Sequence, residues 1–434
     1  MLFKAFCAES AYAGGLTAGL LYALHPAMTN TVSYVFARSG QLSALFLFLS
    51  FFLFLKSDNQ KNKGLVFYLF SLLSFILALF SKQSAASFPA LILLYLLLAN
   101  STTNLKRSLK KSFPYFCVLG LWLLIRYISF GAIGDIEGTG MLWNRIDYIL
   151  IQPLVYLNYL WLIIFPAGIS FEHSLLPLNG LGDPLFFIPL IYIAGMIICF
   201  IIFLRNLSVQ DRKILLFSLG FFILFILPTS SVFPTTAPLE EKRLYFSSAG
   251  FFIAAGWALQ RFVSGDFYKN FSVKPILRFL FLTYFIFLGL STMGRNEYFR
   301  EPEMVWKDVI CKYPGHSRAH NNLGSLYLNR GNSLMAAQSL FSALATDSES
   351  PAAHANLGIL YERYLNDLPS AEKCYQKAVE LDRMPVFPLI RLGNMYFANG
   401  DDRSALNYYD MALKYDAFSD EAYIYKGYLY LARG

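Results

Sequence analysis

The sequence predicts an all-α protein, in which a polytopic transmembrane helical domain is followed by an α-solenoid of helical repeats. Two observations carry this prediction. Of the 434 residues 56% are hydrophobic and 15% are charged, and long apolar runs fill the chain up to residue 294. Such a composition is too apolar for a soluble protein of this length. Beyond that point the composition is that of a soluble protein, and one motif returns after about 34 residues.

Nine apolar runs in the first domain, residues 1–294, are candidates for membrane spans. Each approaches the roughly 20 residues that a helix needs to cross the hydrocarbon core. The first run contains Glu9, Gly14 and Gly15, which is not typical of a cleaved signal peptide. The nine runs cover residues 5–24, 41–55, 65–80, 85–99, 113–128, 185–204, 214–227, 245–262 and 276–293.

Basic residues in alternate loops predict the orientation, because Lys and Arg accumulate on the cytoplasmic side of membrane proteins. One set of loops carries basic clusters at 56–63, 106–111, 205–213 and 269–274, and the other set carries few basic residues. We therefore expect the N-terminus inside and the turn at His25 outside.

A tenth apolar segment, 148–165, contains Gln152, Pro153 and Asn158. It would reverse the alternation of basic loops if it crossed the membrane. It is predicted to lie in the interface or to re-enter against other helices.

The recurring motif defines a second domain, residues 317–434, after a linker helix at 295–316. It starts as Asn322-Leu323-Gly324-Ser325-Leu326-Tyr327 and returns at 356–361, at 391–396 and in part at 426–430. This pattern resembles the tetratricopeptide repeat and predicts three units and part of a fourth, beyond which we expect the natural protein to continue. Asp347, Asp382 and Asp416 stand between units and are predicted to cap the following helix.

Ionisable residues on the predicted outer side are candidates for a binding site. Such groups are costly at membrane depth and often functional. Together they describe a cationic pocket that suits a lipid-linked phosphate or pyrophosphate, because Arg and Lys stabilise the charge that develops on a phosphate leaving group. The candidates are His25, Arg38, Lys82, Arg126, Glu172, His173, Glu241 and Arg243.

Several motifs recur in a fixed order along the chain. They are His25-Pro26 with Thr29, Val32, Tyr34 and Arg38; Ser81-Lys82-Gln83 before Pro89; Gln152-Pro153 with Tyr159 and Pro166; Glu172-His173; Leu227-Pro228-Thr229-Ser230-Ser231; Glu241-Lys242-Arg243-Leu244-Tyr245; and Arg295, Trp306 and Pro314. In order and spacing this set resembles the transmembrane and tetratricopeptide repeat-containing proteins and their bacterial relatives.

The resemblance implies a glycosyltransferase. That family is similar to multi-spanning enzymes that transfer a sugar from a polyprenyl-phosphate carrier to protein Ser or Thr on the outer side of the membrane. It implies that a carboxylate in a first outer loop deprotonates the acceptor hydroxyl and that the repeats hold the acceptor polypeptide. This loop is expected upstream of His25, so no catalytic residue is assigned. In such an enzyme Glu172 or Glu241 would orient the cations or bind the sugar. Asn30 stands where many relatives have Glu or Gln. Gln83 stands where the pattern usually has Glu.

Two other functions are open. The alternative to the glycosyltransferase is a non-catalytic, membrane-anchored scaffold whose repeats recruit a partner protein. A transporter or lipid flippase is less favoured, because no two-fold repeat of helices is apparent. Neither a nucleic acid partner nor a metal site built from protein ligands is expected. No cofactor is assigned, although a divalent cation stays open as a cofactor. The expected location is a bacterial inner membrane, or the ER membrane in a eukaryote, with the repeats on the periplasmic or lumenal side.

Overall fold

The computed structural model describes residues 11–34, 37–59, 63–99, 105–130, 145–175, 178, 180, 183–229, 235, 237–264 and 273–433. The chain forms two compact units, which meet in sequence between Arg300 and Glu301. The described residues are helical in both units and contain no strand, so the predicted all-α class is confirmed. Residues 5–10 of the first predicted span lie outside the described residues. So do residues 269–272 of the last basic cluster.

The N-terminal unit contains eleven described α-helices. They are α1 Ala11–Leu24, α2 Thr29–Ser33, α3 Arg38–Asn59, α4 Gly64–Ser81, α5 Phe88–Ala99, α6 Leu105–Phe130, α7 Arg145–Ile164, α8 Pro184–Arg205, α9 Val209–Ile226, α10 Leu244–Ser264 and α11 Val273–Tyr298. Short 3-10 turns precede α2, α5 and α10, at Pro26–Met28, Gln83–Ser87 and Glu241–Arg243. Every apolar run of the sequence therefore coincides with a helix over its described part.

Five helices in the described part of the chain are long and apolar enough to cross a membrane. They are Arg38–Asp58, Gly64–Ser81, Leu105–Ser129, Arg145–Ile164 and Pro184–Arg205. The fourth of these, α7, is the segment for which an interfacial or re-entrant position is predicted. Its 20 residues continue through Pro153 without a break, and the Gln152 amide donates to the carbonyl of Tyr148 within the same helix.

Aromatic rings and small hydroxyl groups hold α3, α4, α5 and α6 together. Phe75 stacks on Phe88 with ring centroids 5.3 Å apart, and both side chains are fully buried. Ser50 and Ser71 each donate to the carbonyl of the other, at 2.8 and 2.6 Å, and Ser71 Oγ lies 2.6 Å from the hydroxyl of Tyr115. Since a buried hydroxyl is stable only when it is hydrogen-bonded, these contacts fix the register of α3, α4 and α6.

The described part of the C-terminal unit contains eight α-helices, seven of which form the repeats. They are α12 Pro302–Lys312, α13 Ser317–Asn329, α14 Ser333–Thr346, α15 Pro351–Leu360, α16 Leu368–Leu381, α17 Val386–Ala398, α18 Asp402–Tyr415 and α19 Asp420–Arg433. The first helix, α12, lies in the predicted linker but packs on the first repeat through Trp306 and Ile310. It covers the apolar face with which a solenoid would otherwise begin.

Within each repeat a glycine allows the two helices to approach closely. A Cβ on Gly324 would lie 2.7 Å from Leu340 Cγ, and one on Gly358 would lie 2.4 Å from the ring of Tyr375. Gly393 meets Tyr409 in the same way, at 2.5 Å. The recurring Gly in the sequence motif is therefore a packing position.

The second repeat has one residue more than its neighbours. Gly324 and Gly358 are 34 positions apart, whereas Gly358 and Gly393 are 35 apart. The extra residue lies in a π-helical turn, Tyr361–Leu365, that ends at Asn366 with a φ of 52°. Such turns form where an insertion has to fit into an existing helix. In this turn Glu362 forms a salt bridge with Arg391 of the third repeat and accepts a hydrogen bond of 2.6 Å from Tyr375.

The helix caps differ from the prediction in one respect. Asp347, Asp382 and Asp416 accept hydrogen bonds from backbone amides two residues later, at 3.0 to 3.1 Å, and so form Asx turns between repeats. Side chains that cap helices lie inside the repeats instead, where Asp367 and Asp401 accept from the amides of Ser370 and Ser404 at 3.1 Å. Both kinds of turn are local, so the same residue type serves either purpose.

The glycine of the second repeat provides a stability test. Gly358→Ala is expected to destabilise the repeats by about 1–3 kcal/mol, because the new methyl group overlaps the Tyr375 ring. Gly427→Ala is the matched control, since Gly427 holds the same repeat position and a Cβ there meets nothing within 4 Å. Alanine there should raise stability by about 1 kcal/mol through helix propensity. Hydrogen exchange of the repeat helices measures both changes, and equal effects would contradict the assigned packing role.

Candidate functional site

One pocket of the N-terminal unit is lined by three cationic side chains, Lys82, Lys242 and Arg243. It is partly open to solvent, and the empty space within it, including the solvent at its mouth, is about 450 Å³. Its walls come from the first turns of α3, the turn before α5, the end of α9 and the start of α10. The remaining lining residues are apolar or carry hydroxyl groups, apart from one glycine: Gly40, Ser43, Ala44, Leu47, Ser84, Phe225, Tyr245, Phe246 and Ser247.

Lys82 reaches the pocket from the end of α4. Its amide donates to the carbonyl of Ala78 at 3.0 Å, and its own backbone is extended, which directs the chain into the next turn. The side chain then runs past Gly40, where a Cβ would lie 3.3 Å from Lys82 Nζ. Gly40 belongs to the first turn of α3, whose N-terminal end carries partial positive charge. The ammonium group and the helix end therefore both favour an anion in this pocket.

Lys242 and Arg243 are held by one carboxylate. Glu240 lies 3.0 Å from Lys242 Nζ and 2.9 Å from Arg243 Nη2. Burial alone would raise the pKa of Glu240, but the two cations hold it below its usual value, so Glu240 is ionised at neutral pH. Arg243 also donates to the carbonyls of Ala237 and Pro238, at 2.7 and 2.8 Å. The guanidinium group thus fixes the segment before it while it lines the pocket.

The side chain of Glu241 attaches the turn Glu241–Arg243 to the segment that contains Ser170 and His173. Glu241 is fully buried, and its Oε1 accepts from the amide of Ser170 at 2.7 Å and lies 3.0 Å from His173 Nε2. The other oxygen, Oε2, is buried and has no hydrogen-bond partner among the described residues. The structure therefore brings Glu241 and His173 together, but neither residue lines the pocket.

His25 contacts the backbone instead of the pocket. It is fully buried, its Nε2 lies 2.9 Å from the carbonyl of Ile163, and its Nδ1 accepts from the amide of Ala27 at 3.2 Å. Burial lowers its pKa from 6.5 to about 4. The ring is therefore neutral at physiological pH and joins the turn before α2 to the end of α7.

The remaining predicted site residues lie outside the pocket lining. Arg38 is the first residue of α3 and is exposed. Arg126 is half-buried in α6, with its guanidinium carbon 5.6 Å from the ring centroid of Trp122. Glu172 is half-buried beside His173. Of the eight candidates, Lys82 and Arg243 line the pocket. Lys242 and Gly40 were not among the candidates, although Lys242 stands within the Glu-Lys-Arg motif.

Burial of His25 predicts a pH dependence of folding. Because its folded pKa lies below the unfolded value, the unfolded state binds a proton first as the pH falls. Stability is therefore complete above about pH 6.5 and declines toward pH 4, by at most about 3 kcal/mol. His25→Gln should flatten the pH dependence of the unfolding free energy over this range. His320→Gln, in the repeats, is the control, and an unchanged slope for the His25 variant would contradict the prediction.

A bundle of apolar helices followed by tetratricopeptide repeats defines the class: a multi-pass membrane protein with a repeat domain. Residues 351–383 match the family model of the tetratricopeptide repeat. The chain is similar to protein O-mannosyl-transferase TMTC4 of Homo sapiens, with 25% identity over 357 residues that cover 73% of this chain and 47% of that protein. It is also similar to protein O-mannosyl-transferase TMTC3 of Homo sapiens, with 24% identity over 420 residues, 88% of this chain and 44% of that protein.

A third relative is protein O-mannosyl-transferase Tmtc3 of Drosophila melanogaster, 27% identical over 254 residues, which cover 56% of this chain and 26% of that protein. The chain spans about half the length of the first two curated relatives described, and less of the third. These similarities confirm the predicted resemblance to the transmembrane and tetratricopeptide repeat-containing proteins.

Proposed function

We propose that this protein binds a polyprenyl-phosphate sugar in the pocket lined by Lys82, Lys242 and Arg243 and takes part in transferring the sugar to Ser or Thr of a polypeptide. The transfer takes place on the outer face of the membrane, and the repeats hold the acceptor. The single observation that carries the proposal is the pocket itself, in which cationic groups lie beside an apolar wall within a helical membrane domain. The names of the relatives, protein O-mannosyl-transferases, support the reaction class.

The division of the pocket into charged and apolar parts matches the two parts of the donor. A phosphate diester would contact Lys82 and Lys242, and cations that contact a leaving phosphate stabilise the charge that develops on it. The first isoprene units would pack against Leu47, Phe225 and Phe246, which gain free energy by burying apolar surface. Arg243, whose donors are largely engaged by the backbone, sets the position of the wall.

These residues bind and orient the donor rather than activate the acceptor. Among the described lining residues none carries a carboxylate, so none of them is assigned the deprotonation of an acceptor hydroxyl. The same observation favours a second candidate, a membrane-anchored scaffold that binds a lipid phosphate and presents its repeats to a partner. Detection of the transferred sugar separates the two candidates.

The experiment compares protein-linked O-hexose in host cells with the gene, without it, and with variant genes. Deletion should remove hexose from a subset of Ser and Thr sites identified by mass spectrometry, and Lys82→Gln should reproduce much of that loss. Lys56→Gln is the matched control, because Lys56 lies at the opposite end of α3, over the rings of Phe52 and Phe67. Unchanged glycosylation after deletion would refute the proposal and favour the scaffold.

A further inference from the structure

A single peptide group, between Ile169 and Ser170, is bound at both of its polar ends by charged side chains. Its carbonyl oxygen accepts a hydrogen bond of 3.0 Å from Arg295 Nη1. Its amide donates a hydrogen bond of 2.7 Å to Glu241 Oε1. Arg295 lies near the end of α11, and Glu241 lies in the turn before α10, so this peptide group joins two helices that are distant in sequence.

The two hydrogen bonds reinforce each other. The peptide unit is planar, so a shift of its oxygen moves its N–H as well. A cation at the carbonyl polarises the group and makes the amide a stronger donor, and hydrogen bonds in a chain strengthen one another in this way in a low-dielectric surrounding. Ser170 and Glu241 are both fully buried, so this contact is shielded from water. Loss of Arg295 would therefore weaken the bond between Ser170 and Glu241.

Glu241 is directly connected to the pocket through the chain. Glu241, Lys242 and Arg243 form one 3-10 turn, and the last two residues line the pocket. The Glu241 side chain points to the 169–173 segment, where His173 also contacts it. This buried anchor holds the turn, and hence the two cations, in place.

We infer that Arg295 is a positioning residue for the phosphate pocket: through the peptide group between Ile169 and Ser170 it holds Glu241, and Glu241 holds Lys242 and Arg243 at the pocket. Arg295 lies only a few residues before Glu301, where the C-terminal unit begins. The helix that leads to the repeats therefore contributes to donor binding within its own unit. The inference deepens the proposed function and rests on it for the identity of the ligand.

The test uses the intact protein in detergent and the variants Arg295→Ala, Arg295→Lys, Glu241→Gln and the double variant Arg295→Ala with Glu241→Gln. Thr292→Val is the control, because Thr292 attaches α11 to the bundle at a different place, by a 2.7 Å hydrogen bond to the carbonyl of Leu24 in α1. Two quantities are measured: hydrogen exchange of peptides covering 240–247, without ligand, and the affinity for farnesyl phosphate.

Arg295→Ala should raise exchange at 240–247 and weaken farnesyl phosphate binding by roughly tenfold, the scale of coupling within one hydrogen-bond network. Arg295→Lys should restore part of both, and Thr292→Val should match the wild type. The losses of Arg295→Ala and Glu241→Gln should not add in the double variant. Wild-type exchange at 240–247 in Arg295→Ala, or fully additive losses, would overturn the inference. If wild-type protein binds no farnesyl phosphate, the proposed function fails, while the exchange result still decides the positioning role.

Discussion

Lys82→Gln is expected to weaken the binding of farnesyl phosphate to the purified protein by about 10- to 150-fold. The side chain lies against Gly40 at the N-terminal turn of α3 and lines the pocket beside Lys242. A hydrogen bond to a charged partner contributes about 1.5–3 kcal/mol, which corresponds to that range of affinities. Glutamine keeps much of the length and the polar end of the side chain but removes the charge, so the loss reports on the anion rather than on packing.

Two controls limit the interpretation of this loss. Farnesol, which has the same chain without the phosphate, should bind the wild type and Lys82→Gln equally. Lys56→Gln should bind farnesyl phosphate like the wild type, because Lys56 lies at the far end of the same helix. Isothermal titration in detergent measures all five affinities. Equal binding of farnesyl phosphate by the wild type and Lys82→Gln would remove Lys82 from the site.

Asp211→Ala is expected to destabilise the N-terminal unit by about 1–3 kcal/mol, the cost of leaving a buried polar group without its hydrogen-bond partner. Asp211 is buried at the first turn of α9 and accepts from Trp257 Nε1 at 2.7 Å and from Arg261 Nη2 at 2.9 Å. Burial would raise the pKa of Asp211, but hydrogen bonds from Ser208, Trp257 and Arg261 outweigh it and lower the pKa. Alanine leaves Trp257 and Arg261 without this acceptor.

The matched control is Asp58→Ala. Asp58 pairs with Lys111 in the same unit, but both side chains are about one third exposed, and such pairs contribute about 0–1 kcal/mol. Unfolding in mixed micelles with increasing SDS fraction, followed by tryptophan fluorescence and circular dichroism, compares the two variants. Similar shifts of the unfolding midpoint for Asp211→Ala and Asp58→Ala would show that the buried contact has no special weight.

The helices could be predicted from the sequence because their signals are local. An apolar run of sufficient length has to satisfy its backbone groups internally in a membrane, and the helix is the simplest way to do so. The repeats could also be predicted from the sequence, because their glycines recur at a fixed position. At Gly358 and Gly393 only glycine avoids overlap with a tyrosine ring. The spacing of 35 residues between Gly358 and Gly393 is visible in the sequence, but the π-helical turn that contains the extra residue is not, because the motif on either side of it is intact.

The site was predictable only in part, because tertiary contacts decide which charged groups face a cavity. Arg243 and Lys82 were identified from charge and position, and both line the pocket. His25 has the same appearance in sequence, yet the carbonyl of Ile163, 138 residues away, engages its ring. Nor does the sequence indicate that Gly40 makes room for a lysine from another helix. The orientation in the membrane and the roles of the candidates stay predictions.

The π-helical turn at Tyr361–Leu365 has a consequence for how this solenoid can change. Repeat arrays commonly gain or lose whole units, because each unit contacts only its neighbours. Here Glu362 lies in the turn that the extra residue forms, and it pairs with Arg391, whose side chain is about nine-tenths buried. Deleting the second repeat, or replacing it by a copy of the first, would place Arg391 beside a unit that has no such turn and leave a buried cation unpaired. We therefore expect that a duplication or recombination that separates the second repeat from the third destabilises the array, whereas one that moves both together does not.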